Sequence, residues 1–509
     1  MRTLLRSEPR PQAFPLNRAL PPLETLLTSG GDARLHLDPS SSLNCYGCRP
    51  APRPEALAFS FSTASSISER AFWHASLVRR RLARHDAHDD LVEETRAELT
   101  RLLGIEASGT AVVFAPSGTD AMLHALAVAR AALGTPLISI LAAADETGSG
   151  ASFAVSGRHF NRATAQGSEV VPGAPIAGLA DGVALAAVKL RDAAGALRDA
   201  GEIDGEIVAA TGAAIASGRR VVLHAMDHSK LGNRSPSDHC LETIEARFGD
   251  AIRIVVDACQ ARLGLARLQR HLGRGRMVLI TGSKFFGGPP LSGALLIPPE
   301  AAAGADASAL PPGLGGYSVA SDWPRTWRAA RGSLGAGENI GQLLRWSAAL
   351  EEMSAWFAVP ERSRRAALAS FAKSVARALS RRPELDLLPS TLAGDEDFPA
   401  PTIFPFLVRH NGVELTPAQS GVLHRALNRD LRAFLPGLGA GGRELAALAC
   451  HIGQPVAVAG TSGPRGALRL SVGARNVTDV VADLDGELER IVAKLGLLLE
   501  NFVAIAGAA

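Results

Sequence analysis

The fold is decided by the stretch Met277-Val278-Leu279-Ile280-Thr281-Gly282-Ser283-Lys284, which a Gly/Pro-rich turn and a second apolar run, Ala294 to Ile297, follow. Short apolar runs bounded by Gly and Pro are typical of buried β-strands. The stretch therefore predicts a strand that carries one lysine, Lys284, at its carboxyl end. An amine held rigidly in a desolvated pocket is neutral and nucleophilic, as Schiff-base chemistry requires. The alternative is a solvated charge at the end of a strand.

A carboxylate upstream of this stretch strengthens the chemical interpretation. Asp257 ends the apolar run Ile252-Arg253-Ile254-Val255-Val256. An unpaired carboxylate at the end of a buried strand is costly, so Asp257 is expected to have a partner. A pyridinium N–H is one candidate, because the ion pair keeps the ring electron-withdrawing. A salt bridge to Arg253 or Arg262 is the alternative.

The segment Ser117-Gly118-Thr119 joins a predicted strand, Ala111 to Phe114, to a predicted helix, Ala121 to Leu133. Free backbone N–H groups, the helix dipole and two hydroxyls together form an anion site that suits a phosphate. A plain N-cap by Ser117 or Thr119 is the alternative.

Arg469 lies in the alternating strand Ala467-Leu468-Arg469-Leu470-Ser471-Val472. Its apolar members share one face, so Arg469 and Ser471 share the other. A guanidinium there could bind a carboxylate through two hydrogen bonds. The alternative is a solvated strand face.

Composition bounds the class of protein. A chain of 509 residues is too long for one ordinary core and suggests two or three lobes. The net charge of +3 is small for this length and gives no reason to expect nucleic acid as a partner. No apolar run is long enough for a membrane span, and the N-terminus does not resemble a signal peptide.

The five cysteines, an odd number without a regular framework, predict reduced thiols in a cytoplasmic protein. Cys45 and Cys48 have C-x-x-C spacing, but no second ligand pair accompanies them. We therefore expect two loop thiols and no metal.

Strands and helices alternate between residues 111 and 297, which predicts an α/β fold with a mostly parallel sheet and ligands at the carboxyl ends of its strands. We expect an N-terminal arm and helix over 1–88, a large α/β domain over 89–335, and a bridging helix with a smaller α+β domain over 336–509. The patterns also predict a helix around 183–199 and a helix capped by Asp89 or Asp90.

Taken in chain order, these features resemble the pyridoxal-phosphate (PLP) dependent enzymes of fold type I, and within them the class V aminotransferase and cysteine desulfurase group. Asp257-Ala258-Cys259-Gln260 stands where that group has Asp-Ala-x-Gln. Thr281-Gly282-Ser283-Lys284 stands where it has Ser-x-His-Lys. The similarity covers roughly residues 90 to 350, with a looser match at Arg469.

The resemblance implies a large domain with a mostly parallel seven-stranded sheet, PLP as the cofactor, and roles for individual residues. Lys284 and Asp257 would be catalytic, with Lys284 forming the internal aldimine and Asp257 pairing with the pyridine nitrogen. Gln260 would bond the ring hydroxyl, and Arg469 would bind the substrate carboxylate. The phosphate would be held by Ser117, Gly118, Thr119, Thr281 and Ser283.

The resemblance also implies a homodimer with sites near the interface. In the family, the partner chain supplies a phosphate contact. Two segments of this sequence, Gly332-Ser333 and Gly337-Glu338-Asn339, could each match the family position that makes it.

The sequence departs from the family at several positions. The histidine that stacks on the cofactor ring falls near Thr147, and the histidine before the lysine is Ser283. Ser229 stands where the family has an asparagine, so the role of that asparagine is open to Asp227, His228 or Ser229. Where one desulfurase branch carries its persulfide cysteine, this chain has Ile452, with Cys450 two residues earlier. This counts against ordinary desulfurase activity.

The sequence therefore predicts a cytoplasmic PLP-dependent transferase or lyase that forms an external aldimine with a small α-amino acid. Cysteine desulfurase or C–S lyase activity and amino-acid decarboxylation are alternatives that share the same chemistry. A non-catalytic relative that serves as a scaffold is the alternative of another class, which the combination of Lys284, Asp257 and Arg469 opposes.

Overall fold

A computed structural model describes residues 18–84, 86–390, 398–479 and 483–507. Its strands are β1 (Ala56–Phe59), β2 (Ala111–Ala115), β3 (Leu137–Leu141), β4 (Val183–Ala187), β5 (Arg220–Met226), β6 (Ile252–Ala258), β7 (Met277–Thr281), β8 (Gly293–Ile297), β9 (Leu385–Leu387), β10 (Ile403–His410), β11 (Val413–Glu414), β12 (Ala449–Val458) and β13 (Arg465–Ser471).

The helices of the same residues are α1 (Leu23–Leu27), α2 (Glu69–Arg84), α3 (His88–Leu103), α4 (Gly118–Leu133), α5 (Ala151–Ala154), α6 (Ala200–Ala216), α7 (Asp238–Phe248), α8 (Leu265–Gly273), α9 (Pro299–Ala302), α10 (Arg328–Gly332), α11 (Ile340–Ala358), α12 (Glu361–Ser380), α13 (Pro417–Leu427), α14 (Ala440–Ala447), α15 (Ala474–Thr478), α16 (Leu484–Glu500) and α17 (Phe502–Gly507).

In the described part of the chain, seven strands form a sheet in the order β2-β8-β7-β6-β5-β3-β4. Strand β8 runs antiparallel to its neighbours β2 and β7, and the remaining pairs are parallel. Strands β7 and β8 are buried along their whole length, as their apolar sequences predict. The predicted α/β fold with a mostly parallel seven-stranded sheet is thus confirmed.

Helices cover both faces of this sheet. Apolar residues of α2, α3 and α11 pack on one face, and those of α4 pack on the other. Helix α4 begins where its hydroxyl cap predicts, with Ser117 accepting a hydrogen bond from the backbone N–H of Asp120, and it ends at Gly134. Its N-terminus lies at the edge of the sheet where β6 and β7 also end, because parallel strands share the direction of their carboxyl ends.

A second sheet has the order β1-β12-β13-β10-β11, with β9 pairing with β10. Strand β1 pairs with β12 in parallel, whereas β13 runs antiparallel to both of its neighbours, β12 and β10. Helices α12, α13 and α16 pack on this sheet around a separate apolar core. The N-terminal region, predicted as an extended arm, therefore contributes a strand to the sheet formed by the C-terminal part of the chain.

Two local predictions were wrong, and one helix was missed. Residues 183–187, predicted as helical, form the strand β4, because pairing with β3 at the sheet edge outweighs the helix preference of its alanines. The cap of α3 is Ala87, and Asp89 and Asp90 lie in its first turn, where the helix dipole stabilises them and Arg325 binds both. Helix α12 had not been predicted.

Across the residues with a described structure, no helix is both long and apolar enough to span a membrane.

Candidate active site

A cavity of about 360 Å³ opens at the edge where β6, β7 and the start of α4 meet. Its size falls within the range of small-molecule pockets, roughly 300–1,000 Å³. Strand β13 and the N-terminal region close it from the opposite side. Most of the predicted site residues line this one cavity: Ser117, Gly118, Thr119, Asp257, Thr281, Ser283, Lys284 and Arg469.

Lys284 and Asp257 reach the cavity from neighbouring strands. Asp257 pairs in register with Leu279 of β7, and Lys284 follows three residues after the end of that strand. The carboxylate is buried, and its Oδ1 accepts a hydrogen bond from the backbone N–H of Cys259 at 3.0 Å.

The alternative partners of Asp257 are bonded elsewhere. Arg253 donates to the carbonyl oxygen of its own neighbour, Ile252. Arg262 donates to the Thr402 hydroxyl and to main-chain oxygens such as that of Val472. Neither arginine forms a salt bridge with Asp257, which leaves this carboxylate facing the cavity.

The N-terminus of α4 has the donors that an anion needs. The first N–H groups of a helix have no acceptor within it. That of Asp120 bonds to Ser117 Oγ, while Gly118 and Thr119 line the cavity. Glycine fits position 118, because a Cβ there would lie 2.5 Å from Cys259 Sγ and would force that side chain to move.

The remaining hydroxyls predicted for the phosphate are buried beside this helix end. Thr281 Oγ1 donates to the carbonyl oxygen of Cys259 at 2.6 Å. Ser283 also lines the cavity.

Arg34, which sequence reasoning missed, reaches the same place from the N-terminal region. Its Nη2 donates to Ser117 Oγ at 2.9 Å and to Asp32 Oδ2 at 2.7 Å, and it lies 3.9 Å from Asp120 Oδ2. Burial, together with the charge of Asp32, raises the pKa of Asp120 to about 7. No motif surrounds Arg34 in the sequence, because only the packing of the N-terminal region brings it to α4.

Arg469 is buried, so the solvated strand face considered as its alternative is excluded. Its guanidinium donates to the carbonyl oxygens of Gln454, Ser62 and Lys230 and to the Thr63 hydroxyl. Burial lowers its pKa to about 9, because no carboxylate of the described residues pairs with it.

Lys230 also lines the cavity and was not among the predicted site residues. Its backbone N–H donates to the carbonyl oxygen of Glu146, and its own carbonyl accepts from Arg469. Burial and the positive charges of Arg469 and Lys284 lower the pKa of Lys230 to about 7. Its position shortly after β5 is a weak signal in the sequence, since β5 is also a strand that ends at this edge.

Thr147 and Gln260 lie beside the cavity and do not line it. Thr147 Oγ1 is buried and has no hydrogen-bond partner in the described structure. Gln260 Nε2 donates to the carbonyl oxygen of Ser62, and its Oε1 accepts from Arg262. Contacts of these two side chains with a cofactor ring remain predictions.

The three candidates for the family's asparagine role are buried in polar networks. His228 Nδ1 lies 2.7 Å from Asp227 Oδ2, and Arg267 Nε lies 3.1 Å from Asp227 Oδ1. Ser229 Oγ donates to Glu146 Oε2 at 2.5 Å. Each of these side chains is held by other protein groups.

The cysteines are free thiols in the described structure. Cys450 is fully buried in β12, opposite Leu57 of β1, and burial raises its pKa to about 11. Cys45 is exposed, whereas Cys48 is buried.

The residues present fit PLP. A helix N-terminus suits a phosphate, a buried carboxylate without an arginine partner suits a pyridinium nitrogen, and two lysines, Lys284 and Lys230, lie in the same cavity. The unpaired hydroxyl of Thr147 next to the cavity is a further polar group for which a ligand could supply a partner.

In comparisons of sequence, neither a protein-family model nor a curated protein matches the chain. Solved structures do. The cysteine desulfurase CsdA from Escherichia coli has a TM-score of 0.52 at 15% identity, over 87% of this chain and 94% of that one.

The cystine C–S lyase C-DES, in a complex with its product cysteine persulfide, has a TM-score of 0.53 at 16% identity, over 87% of this chain and 97% of that one. A variant of C-DES with glycine covalently linked to its PLP cofactor gives the same TM-score and identity, over 87% of this chain and 96% of that one.

At these identities the similarity establishes the fold. The chain has the fold of the fold type I PLP-dependent enzymes, as its motifs predicted.

Proposed function

We propose that the chain is a PLP-dependent transferase or lyase that acts on a small α-amino acid in the cytoplasm. The observation that carries this proposal is the convergence of Lys284, Asp257 and the N-terminus of α4 on one cavity. Three separate elements supply these groups, and their combination is of no use to a scaffold. The PLP cofactor of the similar C–S lyase supports the same conclusion.

PLP bound here would supply an electron sink that stabilises negative charge at the substrate Cα. Lys284 would attach the cofactor covalently and then move protons at Cα. The Asp257 carboxylate would accept the pyridinium N–H and keep that nitrogen protonated. Ser117, Gly118 and Thr119 would hold the phosphate, with Thr281 and Ser283 beside them.

Arg469 would attract the substrate carboxylate. Its positive charge is buried at the cavity wall and lacks a carboxylate partner among the described residues. Because its N–H groups already bond main-chain oxygens, its orientation is fixed before the substrate arrives. Such preorganisation lowers the entropy cost of binding.

Transamination, β-elimination with C–S cleavage and decarboxylation all fit this arrangement, because each begins with the same charge at Cα. The similar structures include a cysteine desulfurase and a cystine C–S lyase, which favours sulfur-containing amino acids as the first substrates to assay.

The test is whether the purified chain binds PLP through Lys284. Addition of PLP should give a yellow protein, and reduction with borohydride should fix the cofactor mass to the peptide that contains Lys284. Lys284→Ala should lose this mass tag, whereas Lys189→Ala, at an exposed position, should keep it. A tag on Lys230 in the parent would overturn the assignment of Lys284, and a colourless chain that ignores PLP would favour the scaffold.

The reaction class requires a second measurement. The PLP-saturated chain should be incubated with a panel of amino acids and its products identified by mass. A keto acid, a released sulfur species or carbon dioxide would identify transamination, C–S cleavage or decarboxylation respectively.

A further inference from the structure

The charges of the cavity are unbalanced. Among the described residues, its lining contains four cationic side chains, Arg34, Lys230, Lys284 and Arg469, and one carboxylate, Asp257. Arg34 is neutralised by Asp32, with which its side chain shares three hydrogen bonds. If Lys284 and Asp257 serve the cofactor, and the N-terminus of α4 with its neighbouring hydroxyls holds the cofactor phosphate, two cations remain for the substrate, Arg469 and Lys230.

These two cations line the same cavity, where the charge of Arg469 helps to lower the pKa of Lys230. The Arg469 guanidinium donates to the carbonyl oxygen of Lys230 at 3.2 Å, and no carboxylate of the described structure forms a salt bridge with either. The nearby carboxylate of Glu146 is already engaged, because Arg191 binds its Oε1 at 2.6 Å and Ser229 binds its Oε2 at 2.5 Å. The protein itself therefore provides no counter-charge for Lys230.

The main chain at Lys230 is also fixed. Its backbone N–H bonds to Glu146, and Ser229 before it bonds to the same residue. Two like charges in a desolvated cavity repel each other, and an anionic ligand removes that cost. The lowered pKa of Lys230, about 7, agrees with a site that lacks an anion.

We propose that Lys230 binds a second anionic group of the substrate, so that the preferred substrate is an α-amino acid with an acidic group at the end of a short side chain. This inference rests on the proposed function and deepens it. Arg469 takes the α-carboxylate and Lys230 takes the side-chain acid. A carboxylate and a sulfur acid share the required chemistry.

The test uses ligands that cannot react because they lack an amino group. Calorimetry should compare succinate, with two carboxylates, and butyrate, with one, in the PLP-saturated chain. We expect Lys230→Met to weaken succinate binding by about 10- to 100-fold, because a hydrogen bond between charged groups is lost. The affinity for butyrate should stay within about 2-fold of the parent's. Lys230→Arg should retain the preference for succinate.

Lys189→Met removes an exposed lysine and is the matched control, which should bind both ligands as the parent does. Equal weakening of succinate and butyrate by Lys230→Met would place Lys230 on the α-carboxylate and overturn the proposal. So would a parent chain without preference for succinate. Replacing succinate by 3-sulfopropionate distinguishes a carboxylate from a sulfur acid as the preferred second group.

A second measurement needs no variant. Because the protonated amine binds the anion, the ratio of succinate to butyrate affinity in the parent should fall as the pH rises above about 7. A ratio that stays constant between pH 6 and 9 (about one unit below to two units above the pKa) would contradict the role of Lys230. The two hypotheses fail separately: a chain that stays colourless after PLP is added refutes the cofactor, whereas a yellow chain without preference for succinate refutes the role of Lys230.

Discussion

Asp257 shows how one residue acquires its chemistry from its surroundings. It lies on a strand whose neighbours are apolar, and its carboxylate has a backbone N–H as a hydrogen-bond partner but neither of the arginines nearest in sequence. Burying a carboxylate whose oxygens can still accept hydrogen bonds costs free energy, unless a ligand donates to them. The pyridinium nitrogen of PLP would provide that partner.

We expect Asp257→Ala to reduce turnover by at least about 100-fold, the scale of losing one preorganised electrostatic group. Asp257→Glu should lose less, because it retains the charge at a shifted position. Steady-state kinetics of both variants, with circular dichroism to check folding, makes the comparison. Turnover by Asp257→Ala at the parental rate would show that the carboxylate does not act on the ring nitrogen.

Cys450 is the residue whose behaviour tests whether the chain is a desulfurase. A persulfide cysteine must be exposed and easily ionised, whereas Cys450 is fully buried and burial raises its pKa to about 11. We expect Cys450→Ser to retain any release of sulfide from cysteine within about 2-fold. Loss of that activity alone, together with a persulfide mapped to Cys450 in the parent, would identify the chain as a desulfurase.

At the scale of elements, the site is formed where β6, β7 and α4 end or begin and where the N-terminal region crosses them. Arg34 connects that region to the anion site through Ser117 Oγ. It also compensates Asp32 and Asp120, two carboxylates that would otherwise repel a phosphate at this helix end. The N-terminal region thus contributes a charge to the anion site in addition to contributing the strand β1 to the second sheet.

We expect Arg34→Ala to weaken PLP binding by about 10-fold or more, because it removes a charged hydrogen bond and exposes two carboxylates to the phosphate. The apparent dissociation constant can be read from the absorbance on titration with PLP. Arg49→Ala, which removes a partly exposed arginine of the same region that pairs with Glu55, is the control and should bind PLP as the parent does. Unchanged affinity of Arg34→Ala would refute the role.

At the scale of the whole molecule, the cavity lies between two sheets with separate apolar cores. Arg469 comes from the sheet of the C-terminal part, whereas Lys284 and Asp257 come from the large sheet. Substrate and cofactor groups therefore meet only when both parts of the chain are folded. The domain boundaries proposed from the sequence, near 88 and 335, remain to be tested by limited proteolysis.

We propose that the active form is a homodimer, as the family resemblance implies. Light scattering during size-exclusion chromatography should give about twice the 53.0 kDa of the chain. Gly332-Ser333 or Gly337-Glu338-Asn339 would lie near the interface. If it is the second segment, charge reversal at exposed Glu338 should weaken both association and PLP binding. A monomer that retains full activity on dilution would contradict the proposal.

The sequence by itself determined most of the large sheet, its mostly parallel direction and most of the predicted site residues in the cavity, because these depend on local signals. Apolar runs define β6 and β7, a hydroxyl cap defines the start of α4, and parallel strands bring Asp257, Lys284 and Ser117 to one edge. The strand β4 was mistaken for a helix because its alanines favour a helix and only pairing with β3 makes it a strand.

Only the tertiary structure brought Arg34 and Lys230 to the cavity. Arg34 is separated from Ser117 by 83 residues, and Lys230 from Arg469 by 239. The helix and strand patterns of a sequence do not predict contacts over such separations. The charge balance of the cavity, from which we infer an acidic substrate, depends on both residues. This charge balance is therefore a property of the folded chain, because the charges that balance or repel one another are far apart in the sequence.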